Sequence, residues 1–417
     1  MGHWLAPSGA ARQRTFVKRF DARFWSVNFP RPMMASVVTT GPDSLRVDCV
    51  FYKADDLAGL IWEAEDRFDH PLLAYETERD FRGCRLSFRW RSGGLRALDA
   101  VDGPTLTIEG RDEAGAARSW YVRLWNHAEG TPEDASISLD FAALAGGWDG
   151  EDPVWAGDVD RMFVSMVAPG FSGADSPLAG PAEGWAELSG IACDGPGSVL
   201  AAGDTLVPEH RLRIATGYDD LYHLSPARVL RNCLQLGYRG PINHYVGMSH
   251  YFRLEANGGG FYVSLAGGVL NAPCAAWHHD FAERAKALGY EPIWSLSYEL
   301  LDQHVWGDWK QRAEDGSPAL TGWSPPSTLL MAGRWAICGW SPRPSPGSPR
   351  PPGSGSGSRS GSRGGGCSRT AASASTIRPP STCWRRFRYP TSGLRSARRS
   401  GRPSTRRARC WRIRPPP

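Results

Sequence analysis

Acidic, imidazole and phenol side chains follow three apolar segments of the chain at positions where they could do chemistry. Asp219 and Asp220 follow the first segment, His250 the second, and Tyr298 and Glu299 the third. Glycoside hydrolases cleave sugars with two carboxyl groups about 5–9.5 Å apart. Glu299 could act as the acid/base or the nucleophile, with Asp219 or Asp220 as its partner. The alternative is that Glu299 is a structural carboxylate, hydrogen-bonded at the rim of a sheet.

These residues lie on a strand–helix–strand–helix–strand pattern that begins near residue 206. Strands are predicted over Leu212–Tyr218, Ile242–Tyr251 and Pro292–Leu300, and helices over Ser225–Tyr238 and Asn271–Tyr290. Both helices end in Leu-Gly-Tyr and lead directly into a strand, which favours parallel strands in right-handed βαβ units. We therefore predict an incomplete (β/α) TIM-type barrel over residues 206–333, with its site at the carboxyl ends of the strands. A doubly wound sheet is the alternative.

The two helices differ in how clearly their ends and faces can be predicted. Ser225 suits the N-cap of the first helix, with Pro226 at its first position. The side chains expected to face inward from the second helix are Ala276, Phe281, Ala285 and Leu288. His278 and His279 lie on this helix, but adjacent helical positions point in different directions. We predict neither a metal site nor a cofactor.

Residues 14–205 contain short β-type segments with alternating apolar residues, such as Leu86–Trp90. Seven or eight such strands predict a β-sandwich, jelly-roll-like in topology. One helix is predicted within it, over Asp56–Phe68, from the helical spacing of its apolar residues. Exposed tryptophans could stack on sugar rings, and the candidates are Trp120, Trp125, Trp148 and Trp155. Packing in the core is the alternative for each of these rings.

The charge distribution changes abruptly near the end of the chain. All 43 Asp and Glu lie before residue 316; of the 48 Lys and Arg, 19 are arginines after residue 333. Residues 334–417 are rich in Arg, Pro, Gly and Ser and lack apolar periodicity, so we predict a disordered tail. We interpret this tail as an out-of-frame translation that cuts the barrel short. A basic arm that binds phosphates is the alternative.

The N-terminus, the hydropathy and the cysteines indicate the cellular compartment of the protein. Residues 1–13 are predicted to be a flexible N-terminus without the apolar core of a secretory signal. The sequence contains no run of about 18 apolar residues, so we predict no membrane span. Before the tail there are five scattered cysteines, which favours neither a disulfide framework nor a zinc site.

Several long stretches of the chain resemble one family. They are FWSVNFPRPMMASVVTTG, DLAGLIWEAEDRFDHPLLAYETERDFRGCRLSFRW, DGPTLTIEGRD, WYVRLWNHAEGTPEDASISLDF, VDRMFVSMVAPGF and INHYVGMSHYF. The sequence is similar over about residues 20–332 to the non-contractile tail sheath proteins of tailed phages and prophages. In that family an N-terminal domain precedes a TIM-barrel domain.

The resemblance implies a structural protein of the virion tail, present in the cytoplasm when expressed from a prophage. Its expected partners are copies of itself, other tail proteins and a cell-surface glycan, with no membrane and no nucleic acid. A glycoside hydrolase or carbohydrate-binding protein is the alternative function, because a sandwich joined to a barrel also occurs in such enzymes.

The interpretation of the tail can be tested on the DNA. The sequence downstream of codon 333, translated in the other two frames, should resume an alternation of apolar strands and amphipathic helices. Tail-like sequence in every frame would contradict it.

Overall fold

Two antiparallel sheets stacked face to face form the first domain, as the alternating pattern predicts. The structure is a computed structural model, and it describes residues 17–68, 70, 73–196, 209–264, 266, 268–297, 299–320 and 327–329. The five-stranded sheet consists, in spatial order, of β1 (Ser26–Asn28), β4 (Leu57–Glu63), β12 (Val159–Val167), β6 (Thr105–Arg111) and β7 (Ala117–Arg123). The six-stranded sheet consists of β2 (Met34–Gly41), β3 (Ser44–Lys53), β13 (Pro177–Asp194), β5 (Arg85–Gly93), β9 (Asp134–Asp140) and β8 (Ala128–Thr131).

The chain passes repeatedly from one sheet to the other, which gives the sandwich its jelly-roll-like topology. A short hairpin of β10 (Ala145–Gly146) and β11 (Asp152–Pro153) lies beside β7. On β5, Leu86, Phe88 and Trp90 are buried between the sheets, whereas Arg85, Arg89 and Arg91 face outward. This confirms the predicted alternation.

The helix predicted over Asp56–Phe68 is wrong, because Leu57–Glu63 is strand β4. The strand pairs with β1 on one side and β12 on the other, and Ala58, Leu60 and Trp62 enter the sandwich core. Asp56 caps no helix; its carboxylate accepts hydrogen bonds from the backbone N–H groups of Tyr52 and Lys53, at 2.7 and 2.9 Å. Those bonds hold the turn from β3 to β4. A continuous apolar run fits either period, and here pairing with two neighbouring strands decided the outcome.

Three parallel strands form the sheet of the second domain: β14 (Ile214–Gly217), β15 (Pro241–Val246) and β18 (Glu291–Leu296). The helices are α1 (Tyr218–Leu221), α2 (Pro226–Gln235), α3 (Met248–Tyr251) and α4 (Ala272–Ala287). Two antiparallel strand pairs accompany the sheet: the hairpin of β16 (Arg253–Asn257) and β17 (Gly260–Ser264), and the pair of β19 (Glu299–Leu301) and β20 (Ser327–Leu329).

The repeated Leu-Gly-Tyr sequence ends α2 and α4 in the same way. Gly237 and Gly289 have φ of 83° and 74°, and the tyrosine after each donates its backbone N–H to a carbonyl five residues back. This is the Schellman arrangement, in which glycine adopts the left-handed conformation without strain. The predicted N-cap is also confirmed, since Ser225 Oγ accepts from the Arg228 N–H at 3.3 Å.

Some predicted details of the second domain are wrong. The second strand ends at Val246, and residues 248–251 turn into α3. The third strand ends at Leu296 instead of Leu300, so Glu299 begins the separate strand β19. On α4, Phe281 and Ala285 are buried as predicted, but Leu288 is 41% exposed. Pro273, Cys274 and Trp277 are also buried on this helix.

The outer face of β2 and β3 packs against α4, and α2 packs on β2 as well. Met34, Val50 and Tyr52 point to this side and belong to the core of the second domain. The Tyr52 hydroxyl accepts a hydrogen bond from the Leu254 N–H at 3.2 Å, and Trp277 Nε1 donates to the Leu224 carbonyl at 2.8 Å. Strands β2 and β3 therefore form a wall shared by the cores of both domains.

A buried ion pair also joins the domains. Arg228 on α2 donates to Asp66, which follows β4, at 2.6 Å, and their side chains are 4% and 2% exposed. The guanidinium carbon lies 5.1 Å from the ring centre of Phe24 and 5.3 Å from that of Tyr75.

Cys49, Cys84, Cys193, Cys233 and Cys274 are free thiols. Among the helices of the described ranges, none combines the length and the hydropathy needed to cross a bilayer. The predicted N-terminal segment, residues 1–13, and the predicted tail, residues 334–417, lie outside the described residues.

The buried ion pair predicts a large effect on stability. Asp66→Asn keeps the volume of the side chain but leaves the Arg228 cation buried without its counter-charge, which costs about 3–5 kcal/mol in comparable buried pairs. Urea unfolding of the full chain should show the loss. The matched control is Asp134→Asn, which breaks the solvent-exposed pair with Arg89 and should leave the midpoint nearly unchanged. Equal effects of the two substitutions would contradict the assignment.

Candidate functional site

The carboxyl ends of β14 and β15 are joined through Asp219. This residue lies on α1, directly after β14, and its Oδ1 accepts a hydrogen bond from the Gly247 N–H at 2.9 Å. A Cβ at position 247 would lie 2.4 Å from Asp219 Oδ2, so a side chain there would displace the Asp219 carboxylate. Asp220, the neighbouring candidate, is exposed. Of the predicted aspartate pair, Asp219 alone is built into the strand ends.

His250 lies next to Asp219, as its position after the second strand predicts. Its Nε2 is 3.8 Å from Asp219 Oδ1. Arg31, from the loop before β2, places Nη2 2.5 Å from His250 Nδ1. Arg31 Nη2 also lies 3.3 Å from Nε2. Since a guanidinium can only donate, the shorter contact assigns Nδ1 as the acceptor and places the ring proton of neutral His250 on Nε2. We call Arg31, Asp219 and His250 the strand-end cluster.

The ionisation of the strand-end cluster follows from its burial. Burial, together with the positive charge of Arg31, lowers the pKa of His250 from 6.5 to about 3. Burial also raises the pKa of Asp219 above its usual value, although the Gly247 N–H and Arg31 act in the opposite direction. A histidine that titrates near 3 is a poor match for proton transfer at neutral pH, where a catalytic pKa near the working pH is most effective. The strand-end cluster therefore forms a polar contact between the carboxyl ends of β14 and β15 and the Arg31 loop of the sandwich.

Behind the strand ends lies a buried histidine and aromatic cluster. His244 on β15 is stacked on Trp277 and Phe281, with ring centres 5.3 and 4.5 Å away, and it is fully buried. Its Nδ1 lies 2.8 Å from the Thr216 hydroxyl. Burial lowers the pKa of His244 to about 3. This ring is part of the packing between sheet and helix.

The two adjacent histidines of α4 point in different directions, as predicted. His278 Nδ1 lies 2.7 Å from the Cys274 carbonyl, and burial lowers the pKa of its ring to about 4. His279 is exposed and lies beside Glu283. Within the part of the chain that the structure describes, no three His, Cys, Asp or Glu side chains converge so that they could hold a metal ion.

The two residues predicted at the third strand end are Tyr298 and Glu299. Tyr298 lies outside the described residues. The backbone of Glu299 begins β19, which lies against α3, the helix of His250. The role of Glu299 stays a prediction.

The four tryptophan candidates differ in the solvent exposure of their side chains. Trp120 is fully buried, and Arg118 lies over its ring at 5.3 Å, so its proposed sugar contact is corrected to core packing. Trp125 is half-buried against the sandwich core, and Trp155 also packs there. Trp148 is 50% exposed. No local sequence pattern indicates Arg31, because its contact with His250 spans 219 residues.

Comparison with known proteins gives two family matches, in chain order. Residues 17–203 match the model of the non-contractile tail sheath N-terminal domain, and residues 208–343 match that of the non-contractile tail sheath protein TIM barrel. The second match extends ten residues past the predicted end of the barrel at residue 333.

Solved structures show only distant similarity. One is the enzymatically active domain of tailspike protein 4 of bacteriophage CBA120, at 8% identity, covering 44% of this chain and 21% of that chain. A β-1,2-glucanase from Parabacteroides distasonis matches at 12% identity, over 47% of this chain and 25% of that chain. A family 30 carbohydrate-binding module from Clostridium thermocellum matches at 12% identity, over 43% and 98%.

Each of these three structures has a TM-score of 0.24, too low to establish a shared fold. The chain spans only about a fifth to a quarter of the length of the tailspike and the glucanase.

The buried histidines predict how stability depends on pH. His278 titrates near 6.5 in the unfolded chain and near 4 in the folded chain, so unfolding takes up protons between these values and stability falls as pH drops through them. His278→Asn, which keeps a donor for the Cys274 carbonyl, should flatten the decline measured by urea unfolding at pH 7, 6 and 5. The change in slope is at most about 1.4 kcal/mol per pH unit.

The control is the same substitution one position along the helix. His279→Asn should leave the pH dependence as it is, because that ring is largely in water. An equal flattening by both variants would contradict the assignment.

Proposed function

Since the chain belongs to the family of non-contractile tail sheath proteins, we propose that it surrounds the tail tube of a phage or prophage by associating with copies of itself and with other tail proteins. The match of both family domains, in order, carries this proposal. The place of action would be the virion tail.

The strand-end geometry supports a structural role better than glycoside hydrolysis. Asp219 is engaged with the Gly247 N–H and faces a histidine that stays neutral at physiological pH. A TIM-type barrel does not by itself carry hydrolase chemistry. The absence of catalytic activity remains part of the proposal.

The outer face of the five-stranded sheet is a suitable surface for association. The strand registers place Ile61, Phe163, Thr107 and Tyr121 in one row across four strands. Tyr121 is 61% exposed and Leu57, next to the row, is 37% exposed. Ile61 and Thr107 are only 8% and 4% exposed, so the exposed apolar surface of this face comes from Tyr121, Leu57 and the partly exposed Phe163. Exposed apolar surface of this kind is a common mark of a protein interface.

Charges of both signs flank the apolar row. Arg161 pairs with Glu109 across the strands, and Arg111 lies 3.3 Å from Asp158 and from Asp160. A face with mixed charges can be complementary to another copy of itself or to a neighbouring subunit, which suits repeated assembly. We refer to the row and its flanking charges as the outer sheet face.

The outer sheet face predicts the effect of a single substitution on assembly. The full chain at micromolar concentration should run as oligomers in size-exclusion chromatography with light scattering. Tyr121→Lys should shift the distribution toward monomer, because it places a strongly hydrated charge in the apolar row.

The control is Leu212→Lys, which alters a residue of similar exposure, 63%, on the second domain. It should leave the oligomers intact. A strictly monomeric wild-type chain would contradict the proposed assembly, whereas oligomers insensitive to Tyr121→Lys would contradict only the assigned face.

A further inference from the structure

A concave pocket lies at the end of β7, away from the strand-end cluster. The 3₁₀ turn Leu124–His127 and the β10–β11 hairpin form its walls around a cavity of about 480 Å³. Its polar and aromatic lining comprises Arg123, Asn126, His127, Trp148, Asp149 and Gly150.

Trp148 is exceptional among the tryptophans of the sandwich. Trp25, Trp62, Trp90 and Trp120 are among the largest fully buried side chains, whereas half of Trp148 is in water. An aromatic ring has much apolar surface, and leaving it in water forgoes the stabilisation that burial provides. A partner molecule that covers the ring would recover this stabilisation.

The ring of Trp148 is held in place before any ligand arrives. The Arg123 guanidinium carbon lies 3.9 Å from the ring centre and covers that side of the ring. Asn126 Nδ2 donates to the Trp148 carbonyl at 2.8 Å, and Arg123 Nη1 donates to Asn126 Oδ1 at 3.3 Å. Arg123 also donates to the Asp99 carbonyl.

The hairpin that carries the ring is anchored as well. The Gly147 N–H donates to the Tyr121 carbonyl at 2.9 Å, and the Glu151 carboxylate accepts from the Asp149 N–H at 3.0 Å. A rigid aromatic platform loses little conformational entropy on binding.

We propose that this pocket binds a neutral saccharide, whose pyranose ring stacks on Trp148 while its hydroxyl groups bond to Asn126, His127 and Asp149. The apolar C–H face of a pyranose matches an aromatic ring, and its hydroxyls match mixed donors and acceptors at the rim. His127 can serve as either, because burial lowers its pKa and keeps the ring neutral.

The charges at the rim of the pocket favour a neutral ligand over an anionic one. Asp149 and Glu151 lie on the same hairpin and together outweigh the single positive charge of Arg123 at the rim, whereas Asp152 is paired with Arg118. A phosphate backbone or an acidic sugar would be repelled by these carboxylates. The inference does not depend on the proposed tail function, since it uses only the local geometry of the sandwich.

The test measures binding of defined probes to the full chain by titration calorimetry. The probes are cellohexaose, maltohexaose and chitohexaose, with an oligogalacturonate as the acidic comparison. At least one neutral probe should bind, and Trp148→Ala should weaken it about tenfold or more, a loss of about 1.4 kcal/mol. Trp148→Phe, which keeps an aromatic face, should retain part of the affinity.

The matched control is Trp185→Ala, since Trp185 is a half-buried ring with an arginine, Arg46, 4.4 Å over it on the other sheet. This variant should bind like the wild type. Thermal unfolding of each variant establishes that it is folded; if Trp148→Ala is not, the comparison of Trp148→Phe with Trp148→Leu takes its place. The proposal is overturned if no neutral probe binds at about 10 mM, if only the acidic probe binds, or if loss of the Trp148 ring leaves binding unchanged.

Discussion

Strands β2 and β3 bury side chains on both of their faces. Ala35, Val37 and Val47 point into the sandwich, whereas Val50 and Tyr52 point into the core between sheet and helices. Burial of apolar area is the main favourable term in folding, and here one pair of strands contributes it to two cores at once. The second domain cannot leave this wall without exposing the apolar faces of β2, β3 and α4 to water.

Polar contacts fix the position in which the two domains meet across that wall. The Arg228–Asp66 pair is almost fully buried, and a buried pair tolerates little displacement because each charge has lost its water. Ser225 caps α2 and also donates to the Arg23 carbonyl at 2.6 Å, so the start of the helix is tied to the sandwich. Apolar burial supplies the stabilisation, and these bonds select one arrangement.

The strand-end cluster follows from the same arrangement. Arg31 belongs to a loop of the sandwich, yet it meets His250 at the edge of the parallel sheet. In enzymes built on TIM-type barrels this edge is where substrates bind. Here the ends of β14 and β15, the loop of Arg31 and the neutral His250 are held together by polar contacts. This arrangement suits the structural role that we propose. The surfaces that we propose for partners lie elsewhere: the outer sheet face and the pocket of Trp148.

Local sequence determined the elements with a strong physical signature. Ser225–Pro226 and the glycines at 237 and 289 set the ends of the helices, because capping and left-handed backbone conformations depend on single residues. The alternation on β5 and the order of strands and helices after residue 206 gave the two fold classes. Long stretches of similar sequence gave the family. The tertiary structure alone decided that Leu57–Glu63 is a strand, that Trp120 is buried and Trp148 exposed, and that Arg31 reaches His250. Such outcomes depend on neighbours far along the chain, and a local pattern contains no information about those neighbours.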